Sequence, residues 1–267
     1  MARNVIFSET FQSISSLINT VKNREVNSVF ENTQSSLDKS KYYQDFTGTK
    51  NYEEAENLAL TGDYESYKKI EKISGALKVK NCADSYKKTI EKNVCGFAPN
   101  VPLYIIGGTP KNMYNIVQKK VKSNVINITI DNAGCGSYNS NDLAKAATKV
   151  FSVISELEKR NYRINLYIFN STYADNEIME IKVKIKDSGS PFNRLRCAFP
   201  IVNPSFLRRL IFRWKETIPV KINRQWCYCH GWRNTDFTPQ KNEKIISLYK
   251  ILTFGKSIDD IIKDVTE

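Results

Sequence analysis

The sequence predicts an α/β fold: a Rossmann-like three-layer core with a mainly parallel sheet, preceded by a helical N-terminal region. Three observations carry this. Short apolar runs rich in β-branched residues alternate with an amphipathic helical pattern between residues 101 and 186. Strand, helix and strand in that order imply crossover connections between parallel strands. A glycine- and serine-rich loop, AGCGSYNS, follows the run NVINITID (124–131), the place where an open α/β sheet presents its ligand-binding loops.

The elements follow in chain order. Within residues 1–40, Phe11, Ile14, Leu17, Ile18 and Val21 recur at helical spacing and predict one amphipathic helix. The stretch 31–50 is polar and loop-like. Thr49 or Asn51 can cap a helix running to Leu60, Gly62 breaks it, and Asp63 can cap a second one to Ser74. A polar helix is expected from Ala83 to Lys92. VPLYIIGG (101–108) reads as a buried strand, and Pro110 opens a helix from Lys111 to Lys120. NVINITID is the next strand. Asn141 or Asp142 then begins a long helix to Lys159 with Leu143, Ala146, Ala147, Val150, Phe151, Ile154 and Leu157 on one stripe. YRINLYIF (162–169) is a further strand, and IMEIKVKIK (178–186) alternates like a half-exposed edge strand. A short helix after Asn193 and a second one over 204–216 follow. Residues 225–240 read as loops or short strands, and 241–264 as one or two helices divided at Gly255, with Ser257 and Asp259 as caps. This divides the chain into a helical region (1–95), an α/β core (96–225) and C-terminal loops and helices packed on the core (226–267).

Composition narrows the function classes. The 267 residues include Tyr 14 and Phe 13, too many aromatics for a disordered chain. No run approaches the length of a membrane-spanning helix, and the N-terminus has no secretory pattern. The expectation is a soluble intracellular protein with reduced cysteines. Lysine and arginine exceed the acids by 40 − 28 = 12, which suits either solubility or a polyanionic partner. From Arg194 to Arg224 there are eight basic residues and one acid, Glu216. Within this stretch, Arg208, Arg209, Arg213 and Lys215 are the candidate nucleic-acid contacts, with Phe212 and Trp214 available for stacking. The alternative is a helix packed by its apolar residues, with the arginines paired to carboxylates.

Enzymatic motifs are sparse. GCGS (134–137) lacks the third glycine of a dinucleotide fingerprint, and Gly107-Gly108 does not continue as a phosphate-binding loop. His230 is the single histidine, and Cys227-Tyr228-Cys229-His230 lacks a standard zinc spacing. Asp131, Asn132, Ser137, Tyr138 and Asn139 are the candidate binding residues of the strand-end loop. Asp131 is the one expected metal position there, for Mg²⁺ held through oxygen ligands and water. The other reading is that Asp131 and Ser137 satisfy loop amides and cap the next helix. A two-carboxylate hydrolase would need acids at several strand ends, of which Asp131 and Asp175 are the first two on offer.

Four ordered motifs carry a family resemblance: DFTGTKNYEEAENLALTGDYE (45–65), GFAPNVPLYIIGGTPKNM (96–113), SNDLAKAATKVFSVISELEKRNYRINLYIF (140–169) and NPSFLRRLIFRWKETIP (203–219). Together they resemble an uncharacterised family of tailed bacteriophages with a von Willebrand factor A-like core. The resemblance implies a Rossmann-like core and a phage or prophage origin, with no activity attached. A functional domain of that class binds Mg²⁺ through Asp-x-Ser-x-Ser after its first core strand. Asp131 matches the aspartate, but Ala133 and Cys135 stand where the hydroxyls belong, so the motif is degenerate. Asn203 replaces the histidine of the last motif, while Arg208, Arg209 and Glu216 match it.

The functional expectation is a phage-encoded, non-enzymatic binding or assembly protein in the host cytoplasm or associated with the virion. It would engage a phage or host protein through its strand-end loops, with no resident cofactor and no membrane partner. The alternative is binding of DNA or RNA through the arginine-rich segment. A metal-dependent hydrolase or nuclease at Asp131 is the third reading.

Overall fold

The structure, a computed structural model, describes residues 4–28, 46–74, 86–107, 109–120, 124–132, 138–174, 177–218, 232–233 and 243–266. Its main sheet is built on β5 (Asn124–Asp131), β6 (Tyr162–Ala174), β7 (Glu177–Lys186), β1 (Asn4–Phe11) and β9 (Glu243–Ser247) in the spatial order β1-β7-β6-β5-β9, with a two-residue strand β8 (Trp232–Arg233) beside β6. The β1–β7, β5–β6 and β5–β9 pairs are parallel and the β6–β7 pair is antiparallel. The fold is therefore α/β with a mainly parallel sheet.

The crossover from β5 to β6 is α5 (Ser140–Lys159). Asn139 caps it through the amides of Asn141 at 3.0 Å and Asp142 at 2.9 Å. All seven residues of the expected stripe are buried, and Ala144 and Val153 with them. The buried face is wide because α5 packs on α3 (Tyr64–Ser74) and α6 (Arg194–Val202) as well as on α8 (Leu248–Phe254) and α9 (Ile258–Thr266). Each large apolar side chain buried there contributes about 1.5–3 kcal/mol. Ahead of α3, α2 (Tyr52–Thr61) is capped by Asn51 and stops at Gly62, whose φ is +106°. Asp63 accepts from the Ser66 amide at 3.0 Å, and the Ser257 hydroxyl accepts from the Asp260 amide at 3.1 Å.

Several local expectations are overturned. The N-terminal region is not all helical: Phe11 ends a strand, and the helical spacing begins only with α1 (Ile14–Lys22), which buries Leu17, Ile18 and Val21. Because β1 pairs with β7, the alternating strand 178–186 is not an edge; it lies between β1 and β6. Residues 243–247 form β9 instead of helix, since they extend the sheet beside β5. The expected helices over 83–92 and 111–120 are strands β2 (Tyr86–Asn93) and β4 (Met113–Lys120), paired antiparallel from Tyr86↔Lys120 to Asn93↔Met113. With β3 (Ala98–Pro99) they make a separate three-stranded sheet. The expected buried strand VPLYII is a short exposed helix, α4 (Val101–Ile106), because Asn100 caps it at the Leu103 amide and Pro102 lies in its first turn.

Cys197 is buried beside Ile185, and burial pushes its thiol up to about 12, whereas Cys95 is exposed. At about pH 8, near the ordinary thiol range, iodoacetamide should alkylate Cys95 in the folded protein and Cys197 only after denaturation. Peptide mass spectrometry reads both sites, and rapid native labelling of Cys197 would contradict this packing.

Candidate functional site

The concavity most suited to a ligand lies beside the start of α5. A cleft of about 680 Å³ is lined on one side by Tyr138, Asn139 and Ser140, and elsewhere by Ser66 and Lys69 of α3, the 46–50 loop, Glu54, and the turn carrying Asn203, Pro204 and Arg208. The last wall belongs to a π-helical segment (Phe206–Ile211) that continues into α7 (Phe212–Glu216).

Arg209 holds the 46–50 loop against that segment. Its side chain is fully buried, with Nε donating to Thr49 Oγ1 at 2.8 Å and Nη2 to the carbonyls of Thr49 at 2.9 Å and Lys50 at 3.1 Å. Ser205 and Thr49 share a hydroxyl hydrogen bond at 2.8 Å, and Ser205 also donates to the Thr47 carbonyl. Gly48 has a φ of +84°, and a Cβ there would come within 2.7 Å of Asn203 Oδ1, so glycine is required where the loop crosses the turn. Asn203, in place of the histidine of the resembling motif, donates to Asp63 Oδ2 at 2.8 Å and accepts from the Ser205 amide at 3.0 Å.

The cleft is cationic. Lys50, Lys69 and Arg208 line it against one carboxylate, Glu54. Arg208 donates to the Phe46 carbonyl and stacks 3.6 Å from the Phe46 ring centroid; burial lowers its pKa to about 10, so it stays protonated at neutral pH. Lys69 donates to the Ser140 hydroxyl at 2.9 Å. The Lys50 amide donates to Glu54 Oε2 at 2.6 Å, while among the described residues the ammonium groups of Lys50 and Lys69 form no ion pair. A concave wall with unpaired ammonium groups, a guanidinium and hydroxyl and amide donors suits an anionic group such as a carboxylate or phosphate.

The structure thus joins parts of two sets that the sequence keeps separate. Tyr138 and Asn139 of the strand-end loop meet Arg208 of the arginine-rich segment in one cleft. Tyr138 is also fixed from behind, its hydroxyl 3.0 Å from that of Thr253. Ser137 lies outside the described residues, as do Ala133, Cys135, Asp175, Cys227, Cys229 and His230. Asp131 accepts from the Ser247 hydroxyl at 3.3 Å, which ties β5 to β9, and Asn132 is buried against Asn170 at 3.2 Å.

Arg208 is itself 7% exposed; of the other candidate nucleic-acid contacts Arg209 and Lys215 are buried and Arg213 is half-buried, while Arg196 at the start of the segment is exposed. Besides Arg209, Lys215 is 1% exposed and donates to Thr172 Oγ1 at 2.8 Å. Arg213 sits 3.6 Å from the Glu216 carboxylate and over the Tyr52 ring. The apolar residues of this segment pack inward and draw its cations with them, the physical reason the nucleic-acid expectation for Arg209 and Lys215 is corrected.

The Asp131 metal expectation concerns a loop of which residues 133–137 lie outside the described residues. Among the described residues no group of three or more histidine, cysteine or acidic side chains converges, at Asp131 or elsewhere, and no step through a metal is derived. Lys50, Glu54, Lys69 and Ser140 are functional candidates that sequence reasoning missed. They come from elements far apart in the chain, and no spacing or motif marks them.

Comparison with curated proteins gives no match, and comparison with solved structures gives none either. The chain is matched over residues 2–265 by one family model, and it belongs to that family, a domain of unknown function (DUF7192).

Proposed function

We infer that this is a phage-encoded, non-enzymatic binding protein, whose von Willebrand A-like domain captures an acidic segment of a protein partner in the cleft beside α5. The observation that carries this reading is the convergence of Lys50, Lys69 and Arg208 on one concave surface with Glu54 as its single lining acid. The placement of Asp131 at the carboxyl end of a central strand, with α5 as the next helix, supports the von Willebrand A-like reading. Phage origin rests on the motif resemblance.

The test is fluorescence anisotropy with a labelled peptide rich in glutamate and aspartate, beside single-stranded and duplex oligonucleotides, at about 50 and 200 mM salt. The peptide should bind, and each of Lys50→Ala and Lys69→Ala should weaken it by about tenfold, the loss of one hydrogen bond to a charged group. Peptide affinity unchanged in the double variant contradicts the assignment. Tight oligonucleotide binding lost in the same variant would transfer the cleft to the nucleic-acid reading.

A further inference from the structure

The sheet of β2, β3 and β4 ends in a tip, described over residues 94–107 and 109–112, that exposes a group of apolar side chains. Val94, Phe97 and Val101 are exposed, and Tyr104, Ile105 and Ile106 are 70%, 76% and 75% exposed. Soluble proteins seldom leave such a group in water without a use. The exposure has an informative geometry. Successive residues on a helix point about 100° apart, so Tyr104, Ile105 and Ile106 are bare on different sides of α4. A flat protein surface would cover one or two of them; a medium that surrounds the tip covers all three.

The charge around the tip selects the medium. From Lys92 to Ile130 there is no acidic residue and there are five lysines. Two of them, Lys92 and Lys111, flank the tip at its base, because Asn93 pairs with Met113 at that end of the hairpin, and both are exposed. The apolar residues are mostly aliphatic, which suits acyl chains better than stacked bases. An apolar tip with two exposed lysines at its base is the arrangement of a segment that enters the headgroup region of an anionic bilayer.

We propose that the 94–112 tip is a membrane-surface anchor that inserts Tyr104, Ile105 and Ile106 into the interface of anionic lipid while Lys92 and Lys111 contact the headgroups. The proposal departs from the expectation of no membrane partner, which rested on the absence of a spanning run. Among the described residues no helix is long and apolar enough to cross a membrane, and interfacial adsorption needs none. The proposal is independent of the acidic-peptide cleft.

The experiment is sedimentation of the full chain with vesicles of phosphatidylcholine alone and of phosphatidylcholine with about 30% phosphatidylglycerol. The protein should sediment with the anionic vesicles. Ile105→Ser/Ile106→Ser should lower the partition coefficient by at least about tenfold, and each of Lys92→Ala and Lys111→Ala by about fivefold. These side chains are exposed, so circular dichroism and thermal midpoints should match the parent and separate lost binding from lost folding. Three results overturn the proposal: no sedimentation with either vesicle; anionic binding that survives the isoleucine double variant, which is adhesion by net charge alone; or no lipid binding together with a dimer in light scattering that the same variant dissolves, which assigns the tip to a second copy of the chain.

Discussion

Arg209→Ala should lower stability by about 3 kcal/mol or more, because it removes the buried guanidinium's hydrogen bonds to Thr49 Oγ1 and to the carbonyls of Thr49 and Lys50, bonds of a charged group worth about 1.5–3 kcal/mol each. For a chain of this size that is a fall in thermal midpoint of roughly 6–12 °C. Arg209→Lys should recover little, since an ammonium cannot reproduce the planar fork. The cost falls on the cleft as well: without the guanidinium the 46–50 loop is held to this segment only by the Ser205 and Arg208 contacts. Acidic-peptide binding should therefore weaken at temperatures where circular dichroism still reports a folded chain. A change below about 0.5 kcal/mol, the scale of ordinary surface substitutions, would show that Arg209 is not buried as described.

Trp214→Ala is the second large effect, expected at about 3–5 kcal/mol as for other buried aromatic truncations. Trp214 is fully buried, tilted against Phe7 of β1 with ring centroids 5.9 Å apart, and its indole donates to Glu9 Oε2 at 2.8 Å. Glu9 also accepts from Nη1 and Nη2 of Arg24, each at 2.8 Å. Partial burial alone would raise the Glu9 carboxyl, but the Arg24 and Trp214 donors outweigh it and hold the carboxyl below its usual range. Trp214→Phe keeps much of the packing and removes the donor, so it should cost about 1 kcal/mol. Urea denaturation reads all three proteins. Equal midpoints for Trp214→Ala and the parent would mean that β1 does not dock on the sheet through this residue.

β1 also shows where sequence reading stops. Phe7, Glu9 and Phe11 alternate at strand spacing, but Phe11 also fits the helical series through Val21, and the longer period dominates the reading. The strand exists because β7 offers it an edge, which is a tertiary fact. The same holds for KKTIEK and for YNIVQKK, whose local composition is helix-compatible and whose pairing with each other decides the outcome. In VPLYII the apolar run is ambiguous between strand and helix, and the Asn100 cap with Pro102 decides it. Where local and global signals agree, as in 124–131, 140–159 and 162–169 with their caps, the elements were legible.

The site was legible only in fragments. Loop composition marked Tyr138 and Asn139, and charge marked Arg208, but charge could not separate Arg208, which lines the cleft, from Arg209, one residue on, which locks its wall from inside. That difference follows from how the π-helical segment is rotated against the 46–50 loop. Lys69 and Lys50 are two among many lysines in a basic chain, and only the packing of α3 against α5 brings Lys69 to Ser140.

Amide chemical-shift mapping of the isotope-labelled chain, titrated with the acidic peptide, decides whether the cleft beside α5 receives an acidic partner segment. Saturable shifts should concentrate at Lys50, Lys69, Asn139, Ser140 and Asn203. Shifts confined to the 94–112 tip, or scattered over the basic surface without saturation, would contradict it.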